Sequence, residues 1–491
     1  MSLDYNNIQK QSAIPKASSM IETFRAIGYS LETAVADIID NSISAGAKNI
    51  NITRIWRGGE SIISIEDDGC GMNNDELVLA LCPGAQNPLE ERSLTDLGRF
   101  GLGLKTASFS QCRKLSVISR KNDYAPVYWS WDLDYVAQSD KWELIKWIPE
   151  EFEHSLDDKK SGTIVIWSDL DRVVSPNTSM ENENAKMKFS ESLDKVRKHI
   201  AMTFHRFIEE KSVKIFWCGH EIEAWNPFCI DEPKTQARSV DYLVGGATMK
   251  GYVLPHKNNF SSEAAYKKAE GINGWGAQQG FYVYRGKRLL LAGDWLGIRR
   301  KEEHYKLVRI QIDLPNTLDT EWQIDIKKSR AYPPASCKDQ LASYAKAVCA
   351  DGCEVYRHRG KIIKQRAGQE FQSLWIDKKK DNKWYFVVNR EHAVIKQLKQ
   401  KAFEEPEKAI ETLLKLIEES IPVNNVYIKN AQSEEEQKMP YSDFDINLIK
   451  EILIISYKNK IEEGFTHEQA KSYLTCIEPF NNYENLIEEI L

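Results

Sequence analysis

Between residues 31 and 167 a strongly periodic helical segment is followed by a succession of short apolar runs. That order suits a sheet layered against helices. Leu31, Val35, Ile38 and Ser42 recur at helical spacing, so residues 31–45 are predicted as an amphipathic helix that Gly46 stops. Strands are predicted at Ile50–Thr53, Ser61–Ile65, Leu115–Ile118, Val127–Trp131 and Thr163–Trp167. A long polar and helical passage, 177–210, leads into a second region reaching about Pro334, with strands at 280–285 and 307–314. From about Ala335 the pattern turns mostly helical, with amphipathic runs at 409–417 and 446–457 and a charged connector at 433–438. A chain of 491 residues exceeds one ordinary core. The expected organisation is an α+β protein divided into 1–205, 206–340 and a mainly helical 341–491.

Composition narrows the class further. The net charge of −6 does not by itself demand a polyanionic partner. Nine cysteines are scattered, and Cys349 and Cys353 have helical rather than ligand-knuckle spacing, so reduced thiols are expected. Apolar runs are short and interrupted by charge, and Met1–Asn7 lacks a basic and then apolar leader, so a cytoplasmic protein without membrane partners is expected.

An ordered set of short motifs carries the chemistry. On the predicted helix, Asp37 and Asn41 lie one turn apart on a face rotated away from the apolar stripe. A carboxylate beside a carboxamide suits a water-activating base next to an oxygen ligand for Mg²⁺; a solvated polar face is the plainer alternative. In Ile63-Ser64-Ile65-Glu66-Asp67-Asp68-Gly69-Cys70-Gly71-Met72, Asp67 ends an apolar row and needs a partner, such as an adenine amino group. Gly69 and Gly71 would let the backbone approach the base, although Asp-Gly also ends many ordinary strands. The run Gly98-Arg99-Phe100-Gly101-Leu102-Gly103-Leu104-Lys105 opens an apparent helix near Lys105 and reads as a phosphate cradle without the P-loop register. Residues 82–97 read as a flap before it, and Ser161-Gly162-Thr163 enters a strand where a hydroxyl could meet a buried ligand.

Taken in order, these motifs resemble the boxes of the GHKL ATPases, the group of gyrase, MutL, heat-shock chaperones, sensor histidine kinases and MORC proteins. The resemblance covers about residues 20–170. It implies a Bergerat-type α/β sandwich, a mixed sheet covered by helices, that takes ATP and Mg²⁺ as cofactors. It also implies that Asn41 binds Mg²⁺, Asp67 binds adenine, and Gly98 to Lys105 hold the phosphates. Ala45, Gly69, Gly71 and Met72 would line the nucleotide, and Thr163 would support the adenine side. Where hydrolysing relatives carry Glu as the base, this chain has Asp37, shorter by about one bond, and a 1 Å misplacement can lower a rate about a hundredfold. Slow hydrolysis is therefore expected; Glu32 and Asp40 share the Asn41 face less well.

A second resemblance lies at Gln279–Arg288 and Trp322–Arg330, which look like strands and a loop of the α/β transducer domain in the same group. It implies that Lys327 or Lys328 reaches the γ-phosphate. Residues 383–392 resemble a region of bacterial MORC-like, restriction-associated ATPases. Basic stretches at 357–366 and 378–380 are either phosphate contacts or an exposed helix face. The resemblances imply an ATP-gated homodimeric clamp in a DNA transaction such as defence or restriction, with nuclease or helicase partner proteins. A chaperone-like remodeler, or a nucleotide-sensing switch without appreciable hydrolysis, uses the same domain. A histidine kinase normally places it last, and a topoisomerase needs a catalytic-tyrosine domain that the sequence does not display.

Overall fold

The computed structural model describes residues 15–84, 103–325, 328, 331–357, 375–380, 383–393 and 446–490, with isolated positions at 11, 396, 410, 411, 414, 415 and 418. Residues 1–360 make one compact unit and 361–491 another. In the first, helix α1 (Ala17–Arg25) precedes α2 (Leu31–Ser44), which Ser30 caps by accepting from the Thr33 N–H. Strands β1 (Asn49–Ile55) and β2 (Ile62–Asp67) follow, then α3 (Asn74–Leu81), which starts in a capping box of Asn73 and Glu76. Next come α4 (Gly103–Phe109), β3 (Lys114–Arg120), β4 (Val127–Asp132), α5 (Leu133–Ser139) and β5 (Gly162–Ser168). The run closes with α6 (Glu183–Thr203), α7 (His205–Glu209), β6 (Lys214–Trp217) and β7 (His220–Glu221).

These strands form one mixed sheet ordered β4-β3-β5-β2-β1-β6-β7, antiparallel throughout except where β6 runs parallel to β1. Alternation along β2 sorts its side chains between two cores. Ile63 and Ile65 join the large cluster under α2, α4 and α6, with Ala34, Val35, Ile38, Phe109 and Val196. Ile62 faces the opposite side, with Ile118, Ile164, Ile166, Ile148 and Leu156. Because the sheet is covered on both faces, α2 lies against it almost wholly buried from Ala34 to Asp40. Its polar face is therefore covered at Asp37 and Asp40, while Asn41 and Ser44 further along are exposed.

The second sheet uses β8 (Gln236–Ala237), β9 (Asp241–Tyr242), β10 (Thr248–Val253), β11 (Gly280–Arg285), β12 (Arg288–Asp294) and β13 (Val308–Leu314), with α8 (Glu263–Glu270) between β10 and β11. Its order is β12-β11-β13-β10-β8, with β9 also on β10 and β11 parallel to β13. Helix α9 (Ala335–Arg357) packs on β10, where a Cβ at Gly251 would come within 2.6 Å of Val348. The absence of a side chain there is what lets helix and strand touch.

In the second unit, β14 (Trp375–Lys380) pairs antiparallel with β15 (Lys383–Val388), a hairpin absent from the helical expectation for this region. Helices α10 (Ile446–Glu462), α11 (His467–Leu474) and α12 (Glu484–Ile490) enclose Ile449, Leu453, Leu474, Phe480 and Ile487. The amphipathic run expected at 446–457 is the first part of α10. The runs at 358–366 and 433–438, and most of 409–417, lie outside the described residues. Among the described residues no helix is long and apolar enough to cross a membrane.

Candidate functional site

Helix α2 stands over the ends of β2 and β5, and its polar residues meet two sets of partners. At the sheet end, the Asp67 carboxylate is 7% exposed and each oxygen has a donor. Ser42 Oγ donates to Oδ2 at 2.8 Å and the Gly69 N–H to Oδ1 at 2.9 Å. Burial pushes the Asp67 pKa up, while the Ser42 and Gly69 hydrogen bonds pull it back. Opposite Asp67 in the ladder sits Thr163, whose hydroxyl lies 2.8 Å from Ser119 Oγ. Ser119 Oγ also accepts from the Met72 N–H at 2.9 Å. Asp67, Gly69, Met72 and Thr163 are thereby fixed together, as one wall.

Glycines set the closeness of that wall. A Cβ at Gly69 would lie 2.9 Å from Ala45 Cβ and from Asp67 Oδ1, so the strand end is pressed against the end of α2. Gly71 adopts φ +64°, and its Cβ would fall 1.8 Å from the Arg120 carbonyl oxygen. Only glycine meets both demands at 71. The Cys70 N–H donates to Ala45 O at 3.0 Å, holding the turn in register with the helix.

Two helical turns back along α2, Asp37 is 3% exposed. Its Oδ2 accepts from the Tyr29 hydroxyl at 2.7 Å. Its Oδ1 makes no hydrogen bond among the described residues, and the Lys328 ammonium stands 3.2 Å away. Burial raises the Asp37 pKa, the Lys328 charge opposes that rise, and the neighbouring Asp40 charge adds to it. The Tyr29 pKa is also raised, first by burial and then by the Asp37 charge, so the phenol keeps its proton and donates. Gly103, which opens α4, lies close enough that a Cβ there would sit 3.4 Å from Asp37 Oδ2.

Asp40 is fully buried. Arg288 Nε contacts its Oδ1 at 3.0 Å and Oδ2 at 2.8 Å, and Lys328 Nζ contacts Oδ2 at 2.6 Å. The second sheet, through β12 and the loop at 328, thus places two cations on two carboxylates of α2. Lys328 itself sits at φ +50°, a left-handed conformation.

Of the predicted residues, Asp37, Asn41, Ala45, Asp67, Gly69, Gly71, Met72, Gly103 and Thr163 gather around α2 and the adjoining strand ends, with Lys328 beside Asp37. Leu104 is partly buried against the main core. Gly98, Arg99, Phe100, Gly101, Leu102 and Lys327 lie outside the described residues. Lys105 is 3% exposed, and its Nζ donates to Ala80 O at 2.9 Å. Burial pushes its pKa down to about 8.

That value carries a stability consequence with a definite sign. The folded value lies below the ordinary lysine value of about 10.4, so the folded state bears the penalty below pH 8 and sheds it as pH rises toward the unfolded value. A shift of this size corresponds to about 3 kcal/mol. Lys105→Met is therefore expected to gain stability relative to the native chain at pH 7, and to lose about 2 kcal/mol of that advantage by pH 10. Denaturant unfolding at both pH values checks it; an advantage independent of pH sinks the assignment.

Tyr29, Ser42, Ser119 and Arg288 were not singled out from sequence. Ser42 carried a signal: it is a polar residue inside the apolar stripe of α2, and a buried hydroxyl needs a partner. Arg288 carried none, since nothing in Arg-Gly-Lys-Arg marks which cation turns inward.

The residues present fit an adenine nucleotide with its magnesium ion. Asp67 is a buried acceptor with lone pairs beyond those used by Ser42 and Gly69, and Asn41 offers an exposed carboxamide oxygen. Residues 29–163 match the family model described as histidine kinase-, DNA gyrase B-, and HSP90-like ATPase. The chain is 43% identical over 99 residues to the DNA mismatch repair protein MutL of Buchnera aphidicola subsp. Acyrthosiphon pisum (strain Tuc7), covering 19% of this chain and 16% of that protein. It is 41% identical over 92 residues to MutL of Escherichia coli (strain ATCC 8739), covering 18% and 14%. With MutL of Paramagnetospirillum magneticum it shares 35% identity over 89 residues, again 18% and 14%. The chain thus spans about a sixth of the length of these relatives. Family match and site geometry agree, and they support ATP binding: over residues 29–163 this chain is a GHKL ATPase domain, similar to that of MutL.

Proposed function

We propose that the chain binds Mg·ATP at the α2 site, hydrolyses it slowly, and works as an ATP-gated clamp that pairs two copies in a DNA transaction such as restriction or defence. The observation that carries the nucleotide reading is the buried Asp67 carboxylate, held by Ser42 and Gly69 yet left with acceptor capacity beside two glycines. Asn41 would hold the magnesium ion, which supplies charge neutralisation at the phosphates. Asp37 then takes the proton of the attacking water, with its carboxylate oriented by Tyr29. Lys328, already 3.2 Å from Asp37, is the transducer-side cation closest to that chemistry among the described residues, and it reports the γ-phosphate. The similarity to a DNA mismatch repair protein favours DNA as the client.

The test is mass in solution by light scattering with no nucleotide, ADP, ATP and a non-hydrolysable ATP analogue. Doubling of the mass with the analogue alone, or with the analogue and ATP, is expected. An unchanged mass in every condition rejects the clamp. Turnover stimulated by DNA, with binding that weakens steeply with salt, supports the DNA client. Suppression of aggregation of unfolded proteins without a DNA effect transfers the client to polypeptide.

A further inference from the structure

The charge cluster between α2 and the second sheet holds two carboxylates, Asp37 and Asp40, and two cations, Arg288 and Lys328. The cations are not equivalent. The Arg288 side chain is 3% exposed, places Nε on both oxygens of Asp40, and donates through Nη1 to Leu289 O at 2.8 Å and Lys328 O at 3.4 Å. It is locked on several sides. The Lys328 side chain is 11% exposed, bridges Asp37 and Asp40 through one ammonium, and borders a cavity of about 230 Å³ shared with Thr33, His199 and Arg288. It has room to move. His199 adds no competing charge at neutral pH, since burial, and then the Arg288 charge, push its pKa down to about 4.

While Lys328 bridges the pair, Asp37 has an ammonium on one oxygen and the Tyr29 hydroxyl on the other. A carboxylate so engaged is a poor base. Release of Lys328 toward an incoming phosphate frees Asp37, but it also removes one cation from Asp40, which is 0% exposed. A buried carboxylate stripped of every cation is strongly disfavoured. Arg288 removes that obstacle, because it stays on Asp40 whichever way Lys328 turns.

We propose that Arg288 is a positioning residue: its fixed contact with Asp40 lets the Lys328 ammonium exchange between the α2 carboxylates and the terminal phosphate of the nucleotide. This rests on the reading of the site as an ATPase centre. The arrangement makes the two members of one ion pair act in opposite directions. Without Arg288, Asp40 keeps Lys328 as its counter-ion and pins it. Without the Asp40 charge, Lys328 has one rival fewer and goes to the phosphate more readily.

The measurements are calorimetric affinities for Mg·ADP and for a magnesium complex of a non-hydrolysable ATP analogue, with thermal melts of each variant. The ratio of the two affinities reads the γ-phosphate contact; couplings of this kind are typically five- to 150-fold. Arg288→Gln is expected to lower the preference for the ATP analogue over ADP by about tenfold, with ADP affinity little changed. Asp40→Asn is expected to raise that preference by several-fold, and Arg288→Lys, which keeps a cation on Asp40, to restore most of it. Both single variants moving the preference in the same direction is the signature of a merely structural ion pair and overturns the proposal. Should Arg288→Gln not fold, Asp40→Asn decides: a lowered or unchanged preference overturns it. A native chain that binds neither nucleotide rejects the ATPase reading itself, and the inference falls with it; nucleotide binding with same-direction variants rejects the inference alone.

Discussion

Asp67→Asn should weaken Mg·ATP and Mg·ADP binding alike, by about ten- to a hundredfold, with little loss of folded structure. A hydrogen bond to a charged group contributes about 1.5–3 kcal/mol, and that range converts to this loss. The carboxylate is acceptor-only, so Ser42 and the Gly69 N–H can both donate to it and leave a lone pair for a purine amino group. An asparagine keeps one oxygen but turns a donor toward one of those three donors. Folding tolerates the change because burial already opposes the Asp67 charge. Calorimetry on both nucleotides decides the matter: unaltered affinity would falsify the assignment of Asp67 to the purine.

Asp37→Asn should separate binding from turnover. Hydrolysis is expected to fall by about 10²- to 10⁴-fold, the usual contribution of a positioned general base, with Mg·ADP affinity changed by no more than about threefold. In the native chain, turnover should be lost as pH falls through the Asp37 titration, since the base acts only when ionised. Burial places that titration above the ordinary carboxylate range, with Lys328 limiting the rise. Single-turnover rates across pH check both parts. Turnover that survives in Asp37→Asn would pass the role to another carboxylate, and Asp40 is poorly suited because Arg288 and Lys328 already occupy it.

Most of the first sheet was legible because its strands are short apolar runs bounded by turn residues, and because Ile63, Ile65 and Asp67 fall on one face of β2. Asp67 could be placed at the end of an apolar row by that alternation alone, and Ile63 and Ile65 lie in the core beneath it as expected. The face of α2 was only half legible. Helical spacing put Asp37 and Asn41 on one side, but it could not say that Asp37 is covered while Asn41 is exposed. That distinction comes from Tyr29, Gly103 and Lys328, which reach α2 from three other segments. The partnership of Asp40 with Arg288 joins residues 248 positions apart, and periodicity within a window is blind to it. Lys105 is the converse case. Its place in a glycine-rich run suggested a phosphate contact; in the structure it is buried and its amine donates to a backbone carbonyl of α3, a contact no local pattern announces.

The parallel pairing of β6 with β1, from Asn49 opposite Lys214 to Ile52 opposite Trp217, ties a late stretch of chain to the early one. During synthesis, a nascent polypeptide that has emerged only as far as α7 lacks β6 and β7, so β1 is left as a bare edge strand. Such a bare strand invites pairing with another molecule. Translation past residue 217 covers β1, so fragments severed ahead of it should be the sticky ones.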